Sequence, residues 1–361
     1  MNVLLAGGAG YIGSVMTETL LAQGHTVVVY DNLSHGYRDA VSPGATWVEG
    51  DVGDQETIER VLTEHRIDAV IHMAAFIEVG ESVTAPRKYL ENNTLRGVAL
   101  IEAMRRTGVQ RLVLSSTAAV YAAGRAPGRA PGRAPGRAAS RAHSGAPNSR
   151  PLTEDSPLAP ASPYGLSKLW LEQLLAWYAS RGLRYAALRY FNAAGATARS
   201  GERHQPESHL IPLVLEAAAG ERQAIQIFGT DYDTPDGTCI RDYIHVSDLA
   251  QAHVLALAQL AREPEPEPGV IPALSERAYN LGNGSGFSVR EVIACAERVC
   301  GRSIPVQESP RRPGDVDRLV ASSAKMQALG WTPRYPELET IIASAWKWKI
   351  WKQRQRHASH S

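Results

Sequence analysis

The feature that most restricts the fold is a regular alternation of short apolar runs with helix-like stretches across the first half of the chain. Six apolar runs rich in β-branched residues recur there, namely NVLLAG, HTVVVYD, ATWVEGD, DAVIHMAA, RLVLSS and LRYAALRY. Between them lie stretches such as IGSVMTETLLAQG and QETIERVLTEHR, which are typical of helices. Apolar strands that alternate with helices indicate a parallel sheet covered on both faces. The sequence therefore predicts an α/β fold with a doubly wound parallel sheet.

The first predicted strand runs directly into the glycine-rich turn AGGAGYIGS, in which Gly7, Gly10 and Gly13 precede a predicted helix. Glycine allows turn conformations closed to other residues and lets a phosphate approach the backbone, while a helix N-terminus favours the charge of a pyrophosphate. Asp31 ends the second strand, where a carboxylate accepts hydrogen bonds from a ribose diol and repels a 2′-phosphate. Together these residues predict a Rossmann-type domain that binds NAD rather than NADP.

The alternation of strands and helices changes after Asn192, and this change suggests a second, smaller unit. We expect residues 1–191 to form the NAD-binding domain and residues 192–361 to form mainly a smaller C-terminal α/β domain that binds substrate. Residues 238–260 are expected to return to the Rossmann sheet. The charged, proline-rich stretch REPEPEPGV is expected to be an extended connector.

A second pattern places Tyr164 and Lys168 in SPYGLSK and Thr117 in the upstream SSTAAV. A Tyr–x–x–x–Lys spacing on a helix puts both side chains on one face, one turn apart. A phenol has a pKa near 10, so a nearby ammonium and the positive nicotinamide ring would be needed to stabilise the phenolate of a general base. Thr117 lies at the carboxyl end of a predicted strand, where open α/β sheets bind their ligands. The three residues are therefore predicted to be catalytic.

Composition excludes several other classes of protein. The 361 residues carry a net charge of only +1, which gives no overall case for nucleic acid or membrane as a partner. No apolar run reaches the roughly 18 residues of a membrane span. The three cysteines, Cys239, Cys295 and Cys300, have no CxxC spacing, which favours a reducing, cytoplasmic location and argues against a structural zinc. His72 and His245 lie in strand-like runs and are expected to pack or hydrogen-bond, so no metal site is predicted.

Several longer motifs make the family resemblance specific. The stretches GGAGYIGS, SSTAAVY, SPYGLSK, LRYFNAAGA, DGTCIRDYIHVSDLA, YNLGNGSGFSV and RRPGD together resemble the extended short-chain dehydrogenase/reductase family, and within it the UDP-hexose 4-epimerases. The glycine and Tyr/Lys motifs identify only the superfamily, whereas RYFNAAGA and DGTCIRDYIHV are more specific. The resemblance covers nearly the whole chain except an arginine-rich repeat, the proline-rich connector and the last dozen residues.

The resemblance assigns expected roles to individual positions. It implies Tyr164 as catalytic base and acid, Lys168 as its electrostatic partner and a ribose contact, and Thr117 as the hydroxyl that steadies the 4-oxygen. NAD contacts are implied at Gly7, Gly10, Tyr11, Ile12, Gly13, Asp31, Asn32, Asp51, Val52, Asn92, Tyr164, Lys168 and Tyr190. Nucleotide-sugar contacts are implied at Thr117, Asn192, His209, Leu210, Phe228, Arg241, Arg312, Asp315 and Leu319. The family commonly has Ser at position 117 and often Lys at position 77, which is Ile here.

The implied activity is reversible epimerisation at C4 of UDP-glucose and UDP-galactose, through a transient 4-keto sugar and tightly bound NAD. Homodimers are common in the family, so a homodimer is expected. Other substrates remain open, because a mid-sized Leu319 leaves room for UDP-N-acetylhexosamines, and UDP-pentoses are a further alternative. A 4,6-dehydratase is disfavoured, since Ala118 and Ala119 follow Thr117 where that chemistry needs a second acid/base pair. A non-catalytic NAD-binding sensor or an RNA-associated relative is the alternative from another class.

Between the two predicted catalytic motifs lies GRAPGRAPGRAPGRAASRAHSG, part of an insertion at about 122–150. Arginine recurs there at every fourth position from Arg125 to Arg141. The prolines and glycines forbid a helix, so we expect a disordered cationic loop. We interpret it as a tolerated expansion of a surface loop, with phosphate or nucleic-acid binding by its arginines as the alternative. Its place between Thr117 and Tyr164 also makes it a candidate for modulating access to the site.

Overall fold

The structure is a computed structural model that describes residues 1–121, 150–312 and 315–358. The insertion predicted at about 122–150 therefore lies outside the described residues except for Arg150. Within the described part, no helix is long and apolar enough to cross a membrane.

The described elements alternate as the sequence predicts. The strands are β1 (Asn2–Ala6), β2 (Thr26–Asp31), β3 (Thr46–Glu49), β4 (Ala69–His72), β5 (Arg111–Thr117), β6 (Arg184–Tyr190), β7 (Asn192–Ala194), β8 (Ile225–Phe228), β9 (Ile240–His245), β10 (Ala278–Leu281), β11 (Gly286–Ser288), β12 (Val306–Ser309) and β13 (Arg318–Leu319). The α-helices are α1 (Tyr11–Ala22), α2 (Gln55–Glu64), α3 (Val79–Thr84), α4 (Pro86–Tyr89), α5 (Arg96–Thr107), α6 (Pro163–Ala179), α7 (Leu210–Ala218), α8 (Val246–Arg262), α9 (Leu274–Arg277), α10 (Val289–Cys300), α11 (Ala324–Ala328) and α12 (Leu338–Ala358). A π-helical segment (Leu90–Leu95) joins α4 to α5, and short 3₁₀ turns span Arg38–Ala40 and Ala118–Val120.

A seven-stranded parallel sheet with the order β10-β6-β5-β4-β1-β2-β3 forms the centre of the protein. The order reverses between β1 and β4, which is the point where doubly wound sheets bind ligands beyond the carboxyl ends of their strands. One face packs against α1 and α8, and the other against α2, α5 and α6. The predicted doubly wound α/β fold is confirmed.

A smaller unit is built from the later segments. Strand β9 pairs with β7, β11 and β13, while β8 pairs with β12. Helices α7, α10 and α12 pack together in a separate apolar cluster, with Val214, Val292 and Ile341 fully buried. This unit meets the main sheet where β7 begins at Asn192, separated by one residue from the end of β6, so residues from both units converge on the same edge of the sheet.

The segment of the C-terminal half that adds a strand to the main sheet is not the expected one. Residues 238–260 were expected there, but β9 belongs to the smaller sheet and only α8 packs on the main one. The returning strand is β10, whose Ala278–Leu281 pair with Ala187–Tyr190 of β6. Such pairing depends on contacts distant in sequence, which local apolar patterns do not reveal.

Candidate active site

One pocket in the described part of the chain, at the carboxyl ends of the central strands, gathers most of the residues expected in the site. From the expected cofactor set it is lined by Gly7, Gly10, Tyr11, Ile12, Gly13, Asp31, Asn32, Val52, Asn92, Tyr164 and Tyr190. From the expected substrate set it is lined by Thr117, Asn192, His209 and Leu319. The two sets therefore share one cavity, as a reaction between a bound dinucleotide and a second ligand requires.

The glycine turn after β1 has a conformation and a packing that only glycine allows. Gly7 has φ +86°, and a Cβ there would lie 2.5 Å from the backbone nitrogen of Ala74. A Cβ on Gly13 would lie 2.2 Å from the carbonyl oxygen of Gly7. Gly10 precedes α1 and offers no side-chain cap, so the first N–H groups of the helix have no side-chain acceptor from that position. This turn has the form of a pyrophosphate site.

Asp31 lies at the carboxyl end of β2, beside the glycine turn. Its carboxylate accepts hydrogen bonds from the backbone N–H groups of Ala9 (2.9 Å) and Leu33 (2.8 Å). Burial raises the pKa of Asp31, and these two N–H groups oppose the rise. The carboxylate is therefore fixed to the turn while it faces the pocket, as a group that selects a ribose diol must be.

Tyr164 and Lys168 are placed by the start of α6. The Ser162 hydroxyl caps the helix by accepting the N–H of Gly165 (3.2 Å), and Pro163 occupies the first turn. Tyr164 therefore lies in the first turn, and Lys168 follows one turn later. The buried Lys168 ammonium donates to the carbonyl of Ser115 (2.8 Å), two residues before Thr117. The helix N-terminus and the end of β5 thus form one wall of the pocket.

The pKa of Tyr164 is set mainly by burial and by its contact with Thr117. Burial raises its pKa, and a hydrogen bond with the Thr117 side chain opposes this rise. The Thr117 hydroxyl also accepts the N–H of Ala119 (3.1 Å), which caps the short turn after β5. Burial lowers the pKa of Lys168 to about 8, and Glu172 opposes the shift. Among the described residues Tyr164 is therefore a neutral phenol, and a general base at this position would need a further positive charge nearby.

Four of the expected substrate residues form a second group beside this pocket. Arg241 lies 3.4 Å from the Asp315 carboxylate, which also pairs with Arg312 (3.0 Å). The Arg312 guanidinium lies over the ring of Phe228, 4.7 Å from its centre. Arg241 pairs in register with Leu319, which lines the main pocket. The arginine group therefore adjoins the main pocket at Leu319, at a position that suits a diphosphate.

Besides the four residues of the arginine group, three further expected contact residues lie outside the lining of the main pocket. Asp51 is engaged by Arg96 and by the Asn32 amide (2.8 Å), so it acts on the pocket through Asn32. Lys168 reaches the wall of the pocket through Ser115. Leu210 begins α7 directly after His209 and is half-buried in that helix.

Sequence reasoning named His209 but missed Glu202 and His204, which line the pocket from the same segment, and Glu207, which pairs with His209. This segment contains two Glu-x-His units in which each carboxylate accepts the next two backbone N–H groups, at 2.7 to 2.9 Å. Each carboxylate also faces the Nδ1 atom of its own histidine, at 2.6 and 2.8 Å. Burial would lower the pKa of His209, but Glu207 and Glu202 raise it to about 9. The repeated Glu-x-His spacing was visible in the sequence and could have marked this segment.

Apart from position 77, the segment that follows β4 was also missed. Met73, Ala74, Ala75, Phe76 and Ile77 all line the pocket, yet none of them carries a group that takes part in acid–base chemistry. Their signal was positional, because a loop at the carboxyl end of a central strand lies at the ligand edge of such a sheet. Ile77 places an apolar side chain at the position where the family often has lysine.

The comparisons with known proteins agree with this geometry. Residues 3–282 match the model of the NAD dependent epimerase/dehydratase family. The chain is 45% identical to the UDP-glucose 4-epimerase of Halalkalibacterium halodurans, over 96% of this chain and 95% of that protein. It is similar to the crystal structure of the Brucella ovis UDP-glucose 4-epimerase in complex with NAD, with a TM-score of 0.83, 43% identity and coverage of 96% and 97% of the two chains. The Bifidobacterium longum UDP-glucose 4-epimerase in complex with NAD⁺ and UDP has a TM-score of 0.83 and 34% identity, with 98% and 99% covered.

Proposed function

The chain belongs to the NAD-dependent epimerase/dehydratase family, and we propose that it interconverts UDP-glucose and UDP-galactose by inverting C4 of the hexose. The observation that carries this proposal is that Thr117 and Tyr164 line the same pocket as the glycine turn and Asp31. A base, a hydrogen-bonding hydroxyl and a dinucleotide site at one sheet edge are the parts that a reversible oxidation of a sugar hydroxyl needs.

The glycine turn and Asp31 fit the dinucleotide. The first turn of α1 would hold its pyrophosphate, and the Asp31 carboxylate would accept from the adenosine ribose. When bound, NAD⁺ supplies a hydride acceptor for C4 and a positive charge beside Tyr164. That charge would oppose the burial that raises the pKa of the phenol.

Tyr164 moves the proton in both halves of the reaction. As its phenolate, it takes the proton from the sugar 4-hydroxyl while C4 loses its hydride and becomes a ketone. The Thr117 hydroxyl donates to the same oxygen and holds it near the ring. After the ketose has turned its other face, hydride returns to C4 and Tyr164 gives the proton back to O4. Protons and electrons therefore balance over one cycle, and no cofactor is consumed.

The sugar has to turn while the nucleotide stays held. Arg241 and Arg312 would bind the diphosphate, with Phe228 beside the guanidinium of Arg312. The protonated His209 would add a positive charge at the pocket, since its pKa of about 9 keeps it charged at neutral pH. Apolar groups such as Phe76 and Leu319 line the same cavity and would offer the sugar few hydrogen bonds that fix its orientation.

The proposal is tested by supplying the purified protein with UDP-galactose and measuring UDP-glucose, with no NAD added and again with NAD. We expect conversion in both cases, because tightly held cofactor should copurify. A panel with UDP-N-acetylglucosamine and UDP-xylose distinguishes the hexose from the other substrates. Failure to convert UDP-galactose with NAD present, together with turnover of another UDP-sugar, would assign the pocket to that sugar instead.

We also propose that the protein works as a homodimer. Val83 on α3, Leu95 of the π-helical segment and Trp177 on α6 are 62%, 63% and 55% exposed. Trp170, two turns before Trp177 on α6, is 42% exposed. Such neighbouring apolar side chains favour burial against a second copy. We expect sedimentation equilibrium to give twice the mass of the chain, and a monomer at micromolar concentration would contradict the proposal.

The cytoplasm is the location we infer, because Cys239, Cys295 and Cys300 are all unpaired thiols.

The arginine-rich insertion is proposed to be dispensable for catalysis. The residues on either side of it are held by their own backbone contacts. Tyr121 forms a β-bridge with Leu158, and Leu152 forms one with Ala321. We expect deletion of residues 124–147 to leave kcat and KM for UDP-galactose within about twofold of the full chain, since insertions at surface loops are tolerated. Initial rates at several substrate concentrations measure this. A large loss of turnover would show that the insertion takes part in the reaction.

A further inference from the structure

The buried ion pair between Glu172 and Arg189 lies behind the wall of the pocket that the start of α6 and the end of β5 form. Glu172 is on α6, one turn after Lys168, and Arg189 precedes Tyr190 on β6. The carboxylate accepts from the guanidinium at 2.6 and 3.1 Å, and both side chains are at most 1% exposed. A charged pair at this depth costs desolvation energy, so its position calls for a reason beyond stability.

Glu172 also binds the strand that carries Thr117. The hydroxyl of Ser116 donates a short hydrogen bond to the Glu172 carboxylate. Ser116 lies between Ser115, whose carbonyl accepts from Lys168, and Thr117, which forms the hydrogen bond with Tyr164. Three consecutive residues of β5 are thus tied to three positions on α6.

The network continues to both flanks of the arginine-rich insertion. Arg189 donates to the hydroxyl of Tyr121 (2.9 Å) and to the carbonyl of Glu154 (3.3 Å). The Tyr121 hydroxyl donates to Asn280 (2.6 Å), whose backbone N–H in turn donates to the Glu154 carboxylate (2.7 Å). Tyr121 before the insertion and Glu154 after it are therefore both hydrogen-bonded to the network that contains Glu172.

Glu172 is also the charge that acts on the Lys168 ammonium in the described structure. Burial is the main cause that lowers the pKa of Lys168, and Glu172 opposes it. From β4, His72 faces Lys168, but burial and the ammonium lower the pKa of His72 to about 3, so it is neutral. The partly buried Tyr164 on the same helix and the buried Tyr190 on β6 are neutral phenols. On the far side, Arg189 and Tyr185 of β6 face Glu172.

We propose that Glu172 is a positioning residue for the proposed reaction, which keeps the buried Lys168 ammonium charged and fixes Ser116 so that Thr117 meets Tyr164. It touches neither cofactor nor substrate and acts through Lys168 and Ser116. This inference rests on the proposed function only for its kinetic readout, since the charge of Lys168 can be measured without any substrate.

The test is the variant Glu172→Gln, in which the charge of the side chain is lost while its size is kept. The chain has only six lysines, so the ¹³Cε signal of Lys168 can be assigned in ¹³C-lysine-labelled protein by comparison with Lys168→Met. We expect the pH midpoint of this signal to fall by at least about 1 unit, as loss of a nearby opposite charge requires. The alkaline limb of the kcat profile should move to lower pH in the same direction, with little change in KM.

Two further variants keep the test decisive. Glu102→Gln removes a carboxylate on α5 that pairs with Arg105. This variant should leave the pH midpoint of the Lys168 signal unchanged. If Glu172→Gln fails to fold because Arg189 is left unpaired, Glu172→Gln with Arg189→Gln replaces the ion pair by a neutral pair and should also lower the midpoint. A folded variant with a reduced melting temperature but an unchanged Lys168 midpoint and pH profile would show that Glu172 is only structural, and would overturn the proposal. If the unmodified protein converts no UDP-sugar but Glu172→Gln still lowers the pH midpoint of Lys168, the proposed function fails. The inference that Glu172 keeps Lys168 charged then stands.

Discussion

Replacing Tyr164 with phenylalanine is expected to lower kcat for UDP-galactose by about 10²- to 10⁴-fold, the usual contribution of a general acid–base group. The substitution removes the only atom of this side chain that exchanges a proton with the sugar. The ring itself remains, so its edge contact with Tyr89, at 6.5 Å between ring centres, should persist. Initial rates of UDP-glucose formation measure the loss, and the cofactor content of the purified variant should stay at the level of the unmodified chain.

The matched control for this variant is Tyr178→Phe on the same helix. The Tyr178 hydroxyl donates a hydrogen bond to Glu102 on α5, and Tyr178 does not line the pocket. Removal of this hydroxyl should leave kcat unchanged. If Tyr164→Phe kept full turnover, Tyr164 would not be the acid–base group, and the proposed mechanism would fail at its first step.

Arg189→Ala is expected to produce the largest loss of stability, about 3 to 5 kcal/mol of the free energy of unfolding. The change leaves the carboxylate of Glu172 buried without its counter-charge, and Tyr121 and Glu154 each lose a hydrogen bond. Urea denaturation followed by circular dichroism measures the effect.

The control is Arg87→Ala, which breaks an ion pair with Glu91 at the surface. The Arg87 side chain is 87% exposed, so solvent screens the pair and its loss should leave the urea midpoint unchanged. Equal losses in the two variants would show that burial does not set the strength of the Arg189–Glu172 pair.

The parts that were predictable from sequence depend on short stretches of chain. Alternating strands and helices predicted the doubly wound sheet, because each apolar run has to be covered on both faces. The glycine spacing predicted the turn after β1, since Gly7 and Gly13 both occupy places where a Cβ would collide with backbone. The Tyr–x–x–x–Lys spacing placed Tyr164 and Lys168 one turn apart on α6. The roles of these residues in binding and catalysis stay predictions.

The parts that were not predictable depend on contacts between distant segments. Strand β10 joins β6 across about 90 residues of sequence, so its apolar run alone could not be assigned to a sheet. The bond from Lys168 to Ser115 needed the relative position of α6 and β5. Burial raises the pKa of Tyr164 for the same reason, because several elements close around the ring.

The most direct measurement for the central claim uses UDP-galactose that carries deuterium at C4, incubated with the purified protein in ordinary water. The account predicts UDP-glucose that keeps its deuterium at C4, because hydride leaves that carbon and returns to it within one closed pocket while only the O4 proton exchanges through Tyr164. Product that has lost the deuterium to solvent, or the absence of UDP-glucose, would contradict the account.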